Sequence, residues 1–420
     1  MSDNNNMLDN IERFDMNKPP KRQKIRFIGY LTELPSLILH KGKITKIDMK
    51  GVKPPYILLA NHNAYMDINI LGLAAFPHRL NYVVAIDGFI GREALLRNVG
   101  GICKRKFTND INLIKQMHRV IKNGDIMSIF PEARYSLCGT TAILPESLGK
   151  LAKLFKVPVV TLIMHGHHIN SPFWNLHDRH VKGIRAEMKC IVKPDEVGTL
   201  SAEEINKRIL KEFQYDEYKW QKENNIRVKY KGRAEGLHKV LYQCPHCLTE
   251  YEMETKGTTL RCAHCGHTWE YSELGELKAV EGETYFSHIP DWYEWERENV
   301  RKEVEAGKYY FESEVHVDAL PNAKAFIHLG KGKLIHDQNG FHLTGYYKEN
   351  DEHYNLDIPV IDTYSVHIEY EYLGQFGDCV DLNTLNDTLY VYPEKEKFSV
   401  TKISLATEEL YKYELSKKAK

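Results

Sequence analysis

The sequence lacks any run approaching the ~20 apolar residues that a membrane-crossing helix needs. Its opening, Met1-Ser2-Asp3-Asn4-Asn5-Asn6, carries no apolar core of the kind a signal peptide has, so secretion is not expected. No Gly-x-Ser-x-Gly elbow is present, which argues against a serine hydrolase of that type. Internal repeats and low-complexity tracts are absent too. Charge of one sign is lacking overall, with 57 basic against 57 acidic residues, but that balance hides an asymmetry. Residues 1–200 hold 29 Lys and Arg against 17 Asp and Glu, and residues 201–420 hold 28 against 40. The positive half suits anionic substrates and anionic membrane surfaces. The acidic half argues against nucleic acid as a partner.

What is present reads as globular. Apolar residues make up 42% and charged residues 27% of 420, enough for a sizeable core in two to four domains. The divisions expected are a basic, amphipathic segment over residues 1–45, an α/β domain over 46–230, a metal-binding ribbon over 240–275, and a helix followed by a β-rich accessory domain over 285–420. In the first segment, Lys21-Arg22-Gln23-Lys24-Ile25-Arg26 runs into an apolar stretch ending Leu37-Ile38-Leu39. That pattern fits a peptide lying on a membrane, and equally a helix packed on the next domain. Pro35 argues against one uninterrupted helix there.

The most informative run is His62-Asn63-Ala64-Tyr65-Met66-Asp67, directly after the apolar strand pattern Tyr56-Ile57-Leu58-Leu59-Ala60. A histidine and an aspartate five positions apart can form a base and its orienter. On one regular helix they would stand about 140° apart and not meet. The pair works only with His62 in a loop and Asp67 in the first turn of the following helix, where a carboxylate is also favoured by the helix dipole. The helical pattern Ile68-Asn69-Ile70-Leu71-Gly72-Leu73 follows as required. An imidazole with an ordinary pKa near 6.5 suits proton abstraction near neutral pH. Asp67 would hold its tautomer and stabilise the imidazolium.

Four segments, in order, resemble the glycerolipid acyltransferases of the 1-acylglycerol-3-phosphate acyltransferase type. Asn61-His62 with Asp67 is similar to that family's first block, and Gly100-Gly101-Ile102-Cys103-Lys104-Arg105-Lys106 to its glycine-to-arginine block. Phe130-Pro131-Glu132-Ala133-Arg134-Tyr135-Ser136 is similar to its Phe-Pro-Glu-Gly-Thr-Arg-Ser block, and Val157-Pro158-Val159-Val160 to its valine-proline strand. The likeness covers roughly residues 25–230. It implies transfer of a fatty acyl group from acyl-CoA or acyl carrier protein to a lysophospholipid hydroxyl, 1-acylglycerol-3-phosphate in the first instance, in phospholipid biosynthesis. His62 and Asp67 would be catalytic, with Asn61, Glu132, Arg134 and Arg105 or Lys106 at the substrate. A guanidinium binds phosphate by a planar two-pronged contact. The sequence departs from the pattern in four places. Ala133 stands where the family has glycine, and Arg134 comes one position early, where Tyr135 takes the arginine's place. The basic residue of the middle block slips by one, and Thr161 replaces a proline. Another acceptor, such as another lysolipid or an amino-lipid, and a non-catalytic lipid- or partner-binding role are the alternatives.

Cys244-Pro245-His246-Cys247 and Cys262-Ala263-His264-Cys265 have the spacing of a four-cysteine zinc ribbon. Zn2+ there would be structural, with iron in the same cage as the alternative. His246, His264 and His267 are not needed as ligands. A capping-box pattern at Ser201 and Glu204 starts a helix read through to residue 223. Beyond a helical segment from about Asp291 to Ala306, short aromatic-rich strands with Gly, Asn and Asp turns indicate a small antiparallel barrel or sandwich. The cleanest alternation is Tyr364-Ser365-Val366-His367-Ile368-Glu369-Tyr370-Glu371-Tyr372. With the final helical stretch over 404–416, the pattern resembles a pleckstrin-homology-like barrel. The sequence thus describes a cytoplasmic, peripherally membrane-associated acyltransferase whose partners are membrane lipids and an acyl carrier, with a protein partner for the ribbon or β domain as a further option.

Overall fold

The computed structural model describes residues 11–348 and 351–418. The signal-peptide reading of residues 1–6 lies outside them.

Helix α1 (Arg26–Leu39) precedes a mixed sheet whose strands are β1 (Lys43–Ile47), β2 (Ile57–Ala60), β3 (Leu80–Ala85), β4 (Gly101–Lys104), β5 (Ile126–Ile129), β6 (Val159–His165) and β7 (Arg185–Val192). Their order is β1-β7-β6-β2-β5-β3-β4, with β1 and β7 running against the other five. The connecting helices are α2 (Asp67–Ala75), α3 (Glu93–Asn98), α4 (Ile111–Lys122), α5 (Leu148–Phe155) and the short α6 (His167–Asn170). Central β2 is buried on both faces, so its four apolar residues alternate between two cores. Ile57 and Leu59 face Met117 and Leu148 of α4 and α5, and Leu58 and Ala60 join the cluster that holds Leu71 of α2. Parallel strands place their C-terminal ends, and the loops that follow, on one edge of the sheet.

Pro35 lies inside α1 rather than ending it. The carbonyl that its ring deprives of a donor belongs to Leu31, which is exposed, so water can serve it. The stretch read as one helix over 201–223 is two, α7 (Ala202–Glu212) and α8 (Glu217–Glu223). The Ser201–Glu204 capping box is present, but Asp216 accepts from the backbone N–H groups of Tyr218 and Lys219 and caps a new helix. The break leaves Tyr215 free to turn inward.

The second sheet is β8 (Met253–Lys256), β9 (Thr259–Cys262), β10 (Thr268–Tyr271) and β11 (Leu277–Ala279), antiparallel in the order β11-β10-β9-β8. After α9 (Ile289–Glu305) come β12 (Phe311–Ala319), β13 (Ile327–Asp337), β14 (Gly340–Tyr347), β15 (Glu352–Pro359), β16 (His367–Glu369), β17 (Cys379–Asn383), β18 (Thr388–Pro393) and α10 (Val400–Lys418). This third sheet is antiparallel with order β15-β14-β13-β12-β18-β17-β16, so residues 360–366 must cross from one edge strand to the other. The alternating run at 364–372 yields only the three-residue β16, because Glu371 and Leu373 adopt positive φ and turn the chain out of the sheet.

The three sheets are not beads on a string. One hydrophobic cluster takes in Leu58 and Met188 of the first, Leu260 and Trp269 of the second, Val315 and Val391 of the third, and Leu410 of α10.

Candidate active site and metal centre

The loop–helix arrangement that the His62–Asp67 pair requires is present: β2 ends at Ala60 and α2 begins at Asp67. Asn61, fully buried, donates through Nδ2 to the Met164 carbonyl (2.9 Å) and accepts the Met164 N–H through Oδ1 (2.8 Å). Its amide imitates one more rung of the β2–β6 ladder and fixes the start of the loop. It is a brace, not the substrate contact expected.

Asp67 is fully buried and four donors surround its carboxylate. Oδ2 lies 3.0 Å from His62 Nδ1, 2.6 Å from the Asn63 N and 2.9 Å from the Ala64 N. Oδ1 lies 2.6 Å from His167 Nδ1. Burial alone would raise its pKa, but hydrogen bonds and charge from His167 and His62 outweigh this and hold it at about 2. An ionised Asp67 can only accept, so His62 donates through Nδ1, and the neutral ring then has its lone pair on Nε2. The His62 ring has Phe130 and Tyr135 at 4.1 Å each, inclined by 20° and 34°. Two near-parallel rings that close cannot share one face, so they clamp the imidazole between them.

His167 was missed by sequence reasoning. The run His165-Gly166-His167-His168 just after the valine-proline strand was the available signal. Gly166 takes φ +90°, where an added Cβ would meet Ile184 at 3.0 Å, and this turn carries His167 back to Asp67.

Glu132 is also fully buried. It accepts the His62 N–H (3.0 Å) through Oε1 and the Ala142 N–H (2.7 Å) through Oε2, and the Tyr215 hydroxyl stands 3.2 Å from both oxygens. Tyr215 is 3.0 Å from Asn63 Oδ1 as well, so the inward turn between α7 and α8 ties the His62–Asp67 loop to this carboxyl. Glu132 therefore supports the backbone under His62 and does not line the cavity. Burial pushes it up to about 7 against the pull of those donors.

The expected phosphate-holding cations are placed differently from the sequence reading. Arg134 is buried, with its NH2 group 2.8 Å from Glu408 of α10, whose other oxygen lies 2.6 Å from Arg297 of α9. Arg105 is buried and donates to the carbonyls of Leu320 (3.0 Å) and Pro321 (2.9 Å) and to the Thr388 hydroxyl (2.9 Å). The Lys106 ammonium lies 3.2 Å from Asp381 and 3.8 Å from Glu369. Burial pushes those two carboxyls up to about 6 and about 7 respectively, while Lys106 is held charged between them. All three cations point into the C-terminal module. Nothing local announces this, since the carboxylate partner of Arg134 is 274 positions away.

A cavity of about 690 Å3 opens against His62 at the C-terminal ends of β3, β4 and β5. Leu113, Met117, Leu148 and Leu151 of α4 and α5 give it an apolar floor. Ile361, Tyr364, Tyr411 and Leu415 bring the C-terminal module to its other wall. The site can hold an amphiphile beside a base whose free nitrogen is turned from its orienter.

Residues 40–165 match the Acyltransferase family model. This part of the chain, which includes His62, Asp67, the Phe130–Arg134 run and most of the cavity floor, is an α/β acyltransferase domain. Among solved structures the chain is similar to the 1-acyl-sn-glycerophosphate (LPA) acyltransferase PlsC of Thermotoga maritima, with 17% identity over 45% of this chain and 76% of that one and a TM-score of 0.36. No curated protein matches the sequence.

Outside the acyltransferase domain, Cys244, Cys247, Cys262 and Cys265 bring their sulfurs within 4.8 Å of one another, and Cys244–Cys265 and Cys247–Cys262 are 3.8 and 3.7 Å apart. A tetrahedral metal with bonds of about 2.3 Å to sulfur puts its thiolates about 3.8 Å apart, so the spacing fits such an ion and far exceeds a disulfide bond. His246 and His267 bond instead to the Tyr285 hydroxyl and the Glu283 carbonyl. No helix among the described residues is long and apolar enough to cross a membrane.

Proposed function

We propose that the protein transfers an acyl group from a thioester carrier, acyl-CoA or acyl carrier protein, to a lipid hydroxyl at His62. The observation that carries this is the ionised, four-donor Asp67 on His62 Nδ1 beside a cavity with an apolar floor. His62 Nε2 takes the acceptor hydroxyl's proton as that oxygen attacks the thioester carbonyl. The tetrahedral intermediate collapses with cleavage of the C–S bond, and the leaving thiolate recovers the proton from the imidazolium. No side-chain nucleophile takes part. A lysolipid is the acceptor class that the sequence resemblance favours. The phosphate of 1-acylglycerol-3-phosphate finds neither Arg134 nor Arg105 facing the cavity.

Three further readings belong with this one. The cysteine knuckles hold a structural Zn2+, supported by their sulfur spacing. The third sheet with its closing helix is a pleckstrin-homology-like module, supported by seven antiparallel strands followed by α10. Helix α1 rests on an anionic membrane surface in the cytoplasm: Phe27, Ile28, Leu31, Ile38 and Leu39 are exposed on it, and Lys24, Arg26, Lys41 and Lys43 flank them.

Incubation with a labelled acyl thioester and a lipid extract tests the central reading. The expected result is one free thiol released per labelled ester formed. Thiol release with only free fatty acid as product would contradict it.

A further inference from the structure

Of the cations near the His62 cavity, Arg134, Lys106 and Lys412 are paired with carboxylates of the same chain. Arg134 shares Glu408 with Arg297, and Glu408 and Arg134 retain 1% and 4% of side-chain exposure. Lys106, which lines the cavity, is held by Asp381 and Glu369. Lys104 also lines it, but its ammonium donates to the Thr108 carbonyl at 2.7 Å. Lys412 bonds Glu409 at 2.7 Å, and Lys150 is exposed. Two more carboxylates, Glu146 and Asp362, face the same space.

A phosphate monoester carries nearly two negative charges near neutral pH and needs fixed, charge-assisted donors to leave water. Here the Lys106 and Arg134 donors would have to be withdrawn from buried pairs, which is strongly unfavourable because it strands a buried charge. The carboxylates are not on a detachable flap. Glu408 sits in the middle of α10, whose Val400, Ile403, Leu405 and Leu410 belong to the shared core, and Asp381 is a buried residue of β17, which is paired on both sides by β16 and β18.

Resting on the acyl-transfer reading above, we propose that the acyl acceptor is an amphiphilic alcohol with an uncharged headgroup and no phosphate monoester. The C-terminal module enforces this by setting Glu408, Asp381 and Glu369 on the cations around the cavity. Lys106 is the cavity-wall ammonium that the acyltransferase-like half contributes and the module neutralises, which makes Asp381 a specificity-determining residue.

The test compares 1-oleoylglycerol with 1-oleoylglycerol 3-phosphate as acceptors for oleoyl-CoA. The expected kcat/KM is at least tenfold higher for the unphosphorylated acceptor, and equal use or preference for the phosphate overturns the proposal. Binding is read separately, by protection of His62 from diethyl pyrocarbonate at the peptide level. The unphosphorylated lipid is expected to protect at lower concentration. The reverse order, or no protection by either, overturns the placement of an uncharged acceptor in this cavity. Selective protection without ester formation would instead sink the acyl-transfer reading while leaving the headgroup selection standing. In Asp381→Asn the ratio of phosphorylated to unphosphorylated use should rise about fivefold, with a thermal melt confirming the fold. An unchanged ratio in the folded variant overturns the role given to Asp381.

Discussion

At the residue scale, Ala133 shows how a departure from a motif becomes a physical cost. It takes φ +54°, the left-handed region, in the turn after Glu132. A Cβ is disfavoured there, so Ala133→Gly should stabilise the protein by about 0.5–1 kcal/mol once glycine's larger chain entropy is deducted, read by chemical denaturation. His167 is a positioning residue acting through Asp67. His167→Leu removes one of four donors to that carboxylate and should lower kcat about tenfold with little change in KM. His167→Gln keeps a donor and should recover most of the loss. If both variants lost melting temperature but kept kcat, His167 would be a packing residue alone. The His62–Asp67 pair was legible in the sequence because the elements that bring the two together are contiguous: an apolar strand, a polar turn and a helix start.

At the element scale, the reading fails where long-range partners decide. Arg134 follows a recognisable turn, yet its direction is set by Glu408 on α10. Tyr215 lies in what reads as continuous helix, and Asp216 capping α8 turns it toward Glu132 instead. The Arg134–Glu408–Arg297 group also gives a pH prediction. Burial would raise the Glu408 carboxyl, but the charges of Arg134 and Arg297 outweigh it and lower it from 4.5 to about 2. A depressed carboxyl stabilises the fold fully above its unfolded pKa, and that contribution is lost as pH falls from about 4.5 toward about 2. Glu408→Gln leaves two buried guanidinium groups without their shared charge and should cost about 3 kcal/mol at neutral pH. Melting temperatures of the two proteins should converge as pH drops through that window; parallel curves would mean that the triad does not carry the acid sensitivity.

At the scale of the whole molecule, the three sheets stand or fall together. Cys244 and Cys262 belong to the same hydrophobic cluster as Leu58 near the His62–Asp67 loop, and Trp269 of the second sheet meets Trp292 of α9 at 4.9 Å. Metal analysis should find one zinc per chain, and a strong chelator should lower the melting temperature of the entire protein in a single transition. A separate early transition confined to the second sheet would mean that the modules fold independently. The clustering of the four cysteines was readable from spacing alone, and the strand-rich C-terminal half from its turns. What no local pattern carried was that the acidic half of the chain closes over the basic half. The charge asymmetry was visible in the sequence, and the structure shows where part of it is discharged, on Arg134 and Lys106.

The most direct measurement is single-turnover acyl transfer by His62→Ala beside the parent protein, at matched melting temperature and with acceptor in excess. Loss of the base should cut the rate at least 1,000-fold, on the order of what general-base catalysis contributes, while acceptor still binds. A folded variant that keeps more than a tenth of the parent rate would show that the proton leaves the acceptor by another route.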